Sequence, residues 1–227
     1  MKILAIDIGG THVKFLATGQ KDPIKIPSGK TMTPKKMLAE GLKAIADWEF
    51  DVVAVGYPGP VEKGVPAVEP KNLGKGWVGF DFKKAFGKPV KVINDAAMQA
   101  LGSYRGGRML FLGLGTGLGS TLIAENVVVP LELAHLPYKK GREHEYYVGN
   151  AGLERSGKKK WRKHVAEVVE LLRAALQADY VVLGGGNARL LKELPANTVL
   201  GKNANAFTGG FRLWDEKKAS KGYAHSE

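Results

Sequence analysis

Short apolar runs broken by glycine set the rhythm of this chain. Residues 2–7 read as a buried strand, and residues 11–17 put Val13, Phe15 and Ala17 on one face at a period of two. Gly9-Gly10 between them predicts a β-hairpin with a glycine turn. Thr33-Pro34 marks a helix start, with threonine as N-cap and proline at the first helical position. Leu38, Leu42 and Ile45 then predict the buried stripe of a helix reaching Trp48. Residues 51–57 form a buried strand stopped by Pro58-Gly59-Pro60, and residues 74–79 form another glycine-broken loop. Residues 90–93 predict a strand that delivers Asn94-Asp95 at its C-terminal end, ahead of a short helix over 96–104.

The pattern then recurs. Arg105-Gly106-Gly107 is the best candidate for a hinge. Beyond it, residues 109–114 read as a strand, Gly115-Thr116-Gly117 as a turn and residues 120–125 as the return strand. Strand, glycine turn and strand occur twice, about 105 residues apart, which marks a coarse duplication of one supersecondary unit. Trp161, Val165, Val168, Leu172 and Leu176 form a helical stripe, and residues 180–183 a buried strand ending in Gly184-Gly185-Gly186. The tail after Asp215, with Lys217, Lys218 and Lys221, is polar and predicts a frayed end. The expected division is a first lobe over 1–105, a second over 106–208, and a segment over 209–227 that returns to the first lobe.

With 227 residues, 44% of them apolar, the chain can build one large domain or two small lobes. Its 30 glycines cluster in short loops, so they read as positional. The absence of cysteine excludes a disulfide scaffold and any cysteine-ligated zinc site, and it fits a reducing compartment. Asp7 comes too early for a signal peptide and no apolar run would span a bilayer, so a cytoplasmic protein without membrane contact is expected. The net charge of +12 fits either a solvated basic surface or a polyanionic partner. Only Lys158-Lys159-Lys160-Trp161-Arg162-Lys163 is a dense run, and charge alone does not choose between the two.

Asp7-Ile8-Gly9-Gly10-Thr11, with Lys14 beyond, combines a carboxylate at a strand end, two glycines and a hydroxyl. Such a loop can wrap phosphates with its N–H groups, and Asp7 can hold Mg2+ beside them, directly or through water. A tight capped hairpin fits the same residues. Residues 113–119 (GLGTGLG) repeat the logic without the G-x-G-x-x-G spacing of a dinucleotide site, and Gly29-Lys30-Thr31 lacks the leading glycine of a Walker loop. Asn94-Asp95 can supply a general base for a hydroxyl attacking phosphorus, or simply a helix cap at Asp95. Glu132 and His135 stand three apart and suit an acid–base pair, sugar hydroxyls or a plain surface loop. His12, His144 and His164 give no zinc-ligand spacing with them.

Six segments in order carry a resemblance: Asp7 to Lys14, Gly56-Tyr57-Pro58-Gly59-Pro60-Val61, Asn72-Leu73-Gly74-Lys75-Gly76-Trp77, Asn94-Asp95-Ala96, Leu114 to Gly119, and Glu132-x-x-His135. The chain resembles the ROK family of repressors and sugar kinases, and within it the polyphosphate glucokinases. The likeness covers residues 3–17 and 52–135, weakens over 18–50 and 136–165, and returns at Val181 to Gly186. It implies an α/β fold of two ribonuclease-H-like lobes of the actin/hexokinase superfamily with a central cleft. It implies Asp95 as catalytic base, and Asn94, Asp95, Glu132, His135 and Glu145 as sugar ligands. Gly184, Gly185 and Gly186 resemble the late nucleotide-side loop. The family's usual His–Cys zinc module is missing, so no zinc is expected, and Ala134 stands where the family has glycine.

The reading is therefore a kinase that moves a phosphoryl group from polyphosphate or ATP to the 6-hydroxyl of glucose. Asp7, Gly9, Gly10, Thr11, Lys14, Gly115, Thr116, Gly117, Gly184, Gly185 and Gly186 would hold the donor with Mg2+. Its partners would be the hexose and the donor, with room for a homodimer. The rivals are an ATP-only kinase for another hexose or hexosamine, and a basic nucleic-acid-binding protein that kept the fold and lost catalysis. The second is disfavoured because Asp7, Asp95, Glu132 and His135 are all present and no aromatic-and-basic stacking pattern occurs.

Overall fold

Two strands, β1 (Ile3–Ile8) and β4 (Val52–Tyr57), are buried at every position and run parallel, as strands at the centre of a doubly covered sheet do. β2 (His12–Ala17) returns antiparallel to β1, with β3 (Ile24–Pro27) outside it, and β7 (Val90–Asn94) lies parallel to β4 at the other edge. The order is β3-β2-β1-β4-β7. β5 (Val61–Glu62) and β6 (Val65–Pro66) form a small separate hairpin. The structure, a computed structural model, describes residues 1–202 and 204–215. The polar tail carrying Lys217, Lys218 and Lys221 lies outside the described residues.

Helix α1 (Pro34–Ala44) starts as its sequence predicts, with the Thr33 side chain accepting from the Lys36 N–H. Its buried face differs from the expected one. Met37, Gly41 and, just past the end, Ile45 face the core, Leu38 is half-buried, and Leu42 is 40% exposed. The stripe is shifted because the Phe15 ring lies against Gly41, where a Cβ would come within 2.5 Å of it. The helix also stops at Ala44, short of Trp48, as Ile45 leaves helical geometry. α2 (Phe82–Phe86) is capped by the Asp81 side chain, and α3 (Asp95–Ser103) follows β7 without a loop. Tyr57, Trp77 and Phe82 are fully buried in a chain of ring contacts, each worth about 1.5–3 kcal/mol of burial.

The same sheet is built again. β8 (Met109–Leu114), β9 (Leu118–Ala124) and β10 (Val127–Leu131) are successively antiparallel, and β13 (Tyr180–Gly184) and β14 (Thr198–Leu200) extend the other side in parallel. The order β10-β9-β8-β13-β14 matches the first sheet position for position. Both are ribonuclease-H-like, as the fold class expected from the sequence requires. Between β10 and β13 come the hairpin β11 (Pro137–Lys139) and β12 (Arg142–Glu143), α4 (His144–Val148) and α5 (Asn150–Ala175), which breaks at Gly157 with φ 71° and ψ 162°. Trp161, Val165, Val168 and Leu172 pack α5 onto Leu110, Leu112 and Leu114, so the predicted stripe is present.

The two glycine hairpins differ by one residue. Asp7 pairs with Lys14 and Ile8 with Val13 across the first, leaving four residues in the turn. Gly113 pairs with Gly119 and Leu114 with Leu118 across the second, leaving three.

The chain forms two units, Met1–Met98 joined by the segment from Ala206, and Gln99–Asn205. The first division falls inside α3 and the second inside α6 (Asn205–Arg212). α6 rejoins the first unit with Gly210 against Ala5 and Ala54. Trp214 Nε1 then donates to the Val53 carbonyl at 3.2 Å and Lys91 Nζ to the Leu213 carbonyl at 2.8 Å.

Candidate active site

In the first unit, strand register places Asp7 directly opposite Lys14, and the two form an ion pair at 2.7 Å. The Asp7 side chain is 8% exposed, so an ionised carboxylate there needs this partner. Beyond it the turn closes by Gly9 N–H donating to the His12 carbonyl at 3.0 Å. Asn72 buttresses the turn, because a Cβ on Gly10 would lie 3.1 Å from the Asn72 Cβ. Glu69 in turn shapes the loop that carries Asn72, accepting from the N–H groups of Gly76 and Trp77. Burial alone would push the Glu69 carboxyl up, but the N–H groups of Gly76, Trp77 and Val78 outweigh it and hold the group below its ordinary value.

Asn94 and Asp95 divide the labour at the end of β7. Asn94, not Asp95, caps α3: its Oδ1 accepts from the Ala97 N–H at 3.1 Å, and its Nδ2 donates to the Gly59 carbonyl at 3.2 Å. Asp95 occupies the first helical position, with Oδ1 accepting from the N–H of Ala96 at 2.8 Å. The close approach of α3 to β4 depends on Gly56, where a Cβ would strike Met98.

In the second unit, Glu132 precedes and His135 ends a 3-10 turn, Leu133–His135. Buried Ser120 on β9 pins it, donating from Oγ to the Leu131 carbonyl and accepting from the Leu133 N–H. Ala134 is buried within this turn at negative φ, so its methyl group is accommodated. His135 Nδ1 lies 2.9 Å from Glu143 Oε2. Glu145 reaches the second glycine turn, where its Oε2 accepts from the Leu118 N–H at 3.2 Å. Gly117 makes room for it, since a Cβ there would overlap the carboxylate.

The carbonyls of the second glycine turn are tied back. Asn150 N–H donates to Gly115 and Thr116, Asn187 N–H donates to Leu114, and Asn187 Nδ2 donates to Asn150 Oδ1 at 2.6 Å. Two N–H groups of the turn are spent within it, that of Gly115 on the Gly117 carbonyl at 3.1 Å and that of Leu118 on Glu145. Thr116 is exposed. The late triplet is not uniform. Gly184 packs against the Phe111 ring, Gly185 has φ 82° and would drive a Cβ into the Leu114 backbone, and Gly186 is exposed with nothing nearby. Sequence reasoning missed Ser120, Glu143, Asn150 and Asn187, and met Asn72 only as the first residue of a resembling segment, without a role. Among the described residues no group of three or more His, Asp or Glu is arranged to hold a metal, and no helix is long and apolar enough to cross a membrane.

A model of the ROK family matches residues 3–129. The polyphosphate glucokinase of Mycobacterium tuberculosis is 30% identical over 208 residues, covering 81% of this chain and 77% of that one. Among solved structures, the polyphosphate/ATP-glucomannokinase of Arthrobacter sp. strain KM superposes with a TM-score of 0.74 at 24% identity, covering 92% of this chain and 96% of that one. The ROK family glucokinase of Streptomyces griseus, in complex with glucose and AMPPNP, gives 0.69 at 18% identity, covering 92% and 97%. With the family model matched over more than half its length and that mycobacterial relative alike along four-fifths of it, the chain belongs to the ROK family.

Proposed function

We propose that this protein is a glucokinase that transfers a phosphoryl group from polyphosphate or ATP to the 6-hydroxyl of glucose. The observation that carries the reading is the likeness to polyphosphate glucokinase along 81% of the chain, on a doubled ribonuclease-H-like fold shared with sugar kinases. Asn94, Glu132, His135 and Glu145 are read as ligands of the sugar and Asp95 as the base. Asp95 accepts the proton of the 6-hydroxyl as its oxygen bonds to the donor's terminal phosphorus, and the bond to the leaving phosphate breaks. Asn94 keeps one N–H and one lone pair for a sugar hydroxyl after its scaffold bonds. Gly9, Gly10, Thr11, Lys14 and the turn at Gly115, Thr116 and Gly117 hold the donor phosphates, and Asp7 meets the donor only through Mg2+. Positioning and charge neutralisation supply most of the rate. In the late triplet, Gly184 and Gly185 shape the backbone, while Gly186 is open to a donor.

Mg2+ usually takes one or two carboxylates, completing its shell with substrate phosphates and water, so the single buried carboxylate of Asp7 fits it. When bound there it would neutralise charge on the donor. The chain is read as cytoplasmic. A coupled assay crossing glucose, mannose, fructose and N-acylated hexosamines with ATP and polyphosphate tests the proposal. Glucose with polyphosphate is expected to turn over in the presence of Mg2+. Turnover confined to another sugar with ATP would replace the reading with that kinase, and no turnover with any pair would reject it.

A further inference from the structure

Three consecutive residues, Glu143-His144-Glu145, each grip a different part of the second unit. Glu143 Oε2 meets His135 Nδ1 at 2.9 Å. His144, 1% exposed, sets its Nδ1 2.9 Å from the Leu133 carbonyl inside the 3-10 turn. Glu145 accepts from Leu118 at the glycine turn. The hairpin of β11 and β12 sets this arrangement. Pro137 pairs with Glu143 across it, and His144 N–H donates to the Leu136 carbonyl at 3.1 Å, so the strand returns beside the turn it left.

A carboxylate has only acceptors, so the hydrogen between Glu143 and His135 sits on Nδ1 of the imidazole. That fixes both the tautomer and the plane of the ring, and it gives the opposite nitrogen, Nε2, the task of meeting a substrate hydroxyl. Without the carboxylate the ring rotates about its side-chain bonds and exchanges tautomers, so fewer molecules present the correct nitrogen. His144 holds the backbone of the turn, and Glu143 holds the side chain it carries. We infer that Glu143 is a positioning residue for sugar binding, fixing the tautomer and orientation of His135. The inference rests on the reading of His135 as a sugar ligand.

Glu143 is half exposed, with 53% of its side-chain surface open, so its replacement leaves the fold intact. Glu143→Ala is expected to raise the glucose KM by about three- to tenfold, the scale of one lost hydrogen bond, with donor KM unchanged. Glu143→Gln should recover most of this, since its amide oxygen still accepts from Nδ1–H. Added to His135→Ala, Glu143→Ala should change the glucose KM no further. Nitrogen NMR of the imidazole, above its titration, should show the Nδ1–H tautomer in the unmodified protein and a mixture in Glu143→Ala. An Nε2–H tautomer in the unmodified protein, or an equal penalty for Glu143→Ala with and without His135, overturns the inference. If His135→Ala raises the glucose KM and Glu143→Ala does not, the inference alone fails. If His135→Ala leaves the glucose KM unchanged, the sugar reading of His135 fails and the inference falls with it.

Discussion

Gly117 and Glu145 occupy one space: the carboxylate lies where a side chain at 117 would begin, and its Oε2 accepts from the N–H of the next residue, Leu118. A methyl group at 117 meets the far end of a flexible side chain, so the fold can yield by moving Glu145. Gly117→Ala is expected to cost about 1 kcal/mol of stability at most. It should raise the glucose KM by about three- to tenfold through the displaced carboxylate. Gly115→Ala, which meets nothing within 4 Å, should change neither. Thermal melts beside steady-state kinetics of the two variants check this, and equal effects at both positions would remove Glu145 from the sugar site.

Asp95 is placed to be replaced cleanly. The helix is capped by Asn94, and an amide oxygen at 95 can still accept from the Ala96 N–H. Asp95→Asn should therefore fold normally and bind glucose with little change, while turnover falls on the order of 100-fold or more. Single-turnover measurements on the purified variant decide the matter; near-normal chemistry would exclude Asp95 as the base.

Lys158, Lys159 and Lys160 are exposed at the start of the α5 segment that follows the Gly157 break. Cations at this end oppose the helix dipole, by about 0.3–1 kcal/mol each. Neutralising all three to glutamine should make the protein slightly more stable. If they contribute to a polyphosphate track, the same change should raise the KM for long polyphosphate by about threefold or more and flatten its salt dependence, with the ATP KM hardly moved. Equal changes for both donors would assign the run to plain surface. Arg162, in the same run, is anchored by its Nε, which donates to the Leu190 carbonyl at 2.7 Å.

His164 on α5 lies tilted against Tyr147 and contacts Tyr138, whose hydroxyl also bonds Glu167. Burial pushes the His164 imidazole below its ordinary value of 6.5; Glu167 opposes this and Lys139 adds to it. A base with a depressed folded value leaves more protons on the unfolded chain, so its contribution is complete above about 6.5 and declines as pH falls towards the folded value. Melting temperature should drop between neutral and mildly acid pH, and His164→Gln should flatten that limb. An unaltered pH profile in the variant would show that other groups govern it.

Much of the architecture could be read from the chain because its signals are local. Thr33-Pro34 opens a helix, the β8–β9 turn repeats the β1–β2 turn, and Trp161 to Leu172 keep helical spacing. The sidedness of α1 could not, since it depends on Phe15, more than a helix away in sequence. The hidden parts of the site share that character. Asn187 reaches the Gly115 loop across 72 residues, and Asn72 lies against Gly10. The pairing of Lys14 with Asp7 was equally hidden, because it is set by strand register and not by position after the glycine loop. Asn residues give no spacing signal of their own, so nothing in the sequence marks them as braces for a turn.

The extra residue in the first hairpin turn makes length itself a heritable trait of this protein. In β structure a shift of one position turns every following side chain to the opposite face. Removing one of residues 9–12 would keep Lys14 opposite Asp7 only if the turn closed at three residues, as the second does; a slip of the register instead would leave the buried carboxylate alone, although no charged residue had been substituted. The second hairpin, with Gly113 facing Gly119, has no such pair to lose. Two sheets of the same strand order thus end in turns one residue apart in length, and the first register carries an ion pair where the second carries two glycines.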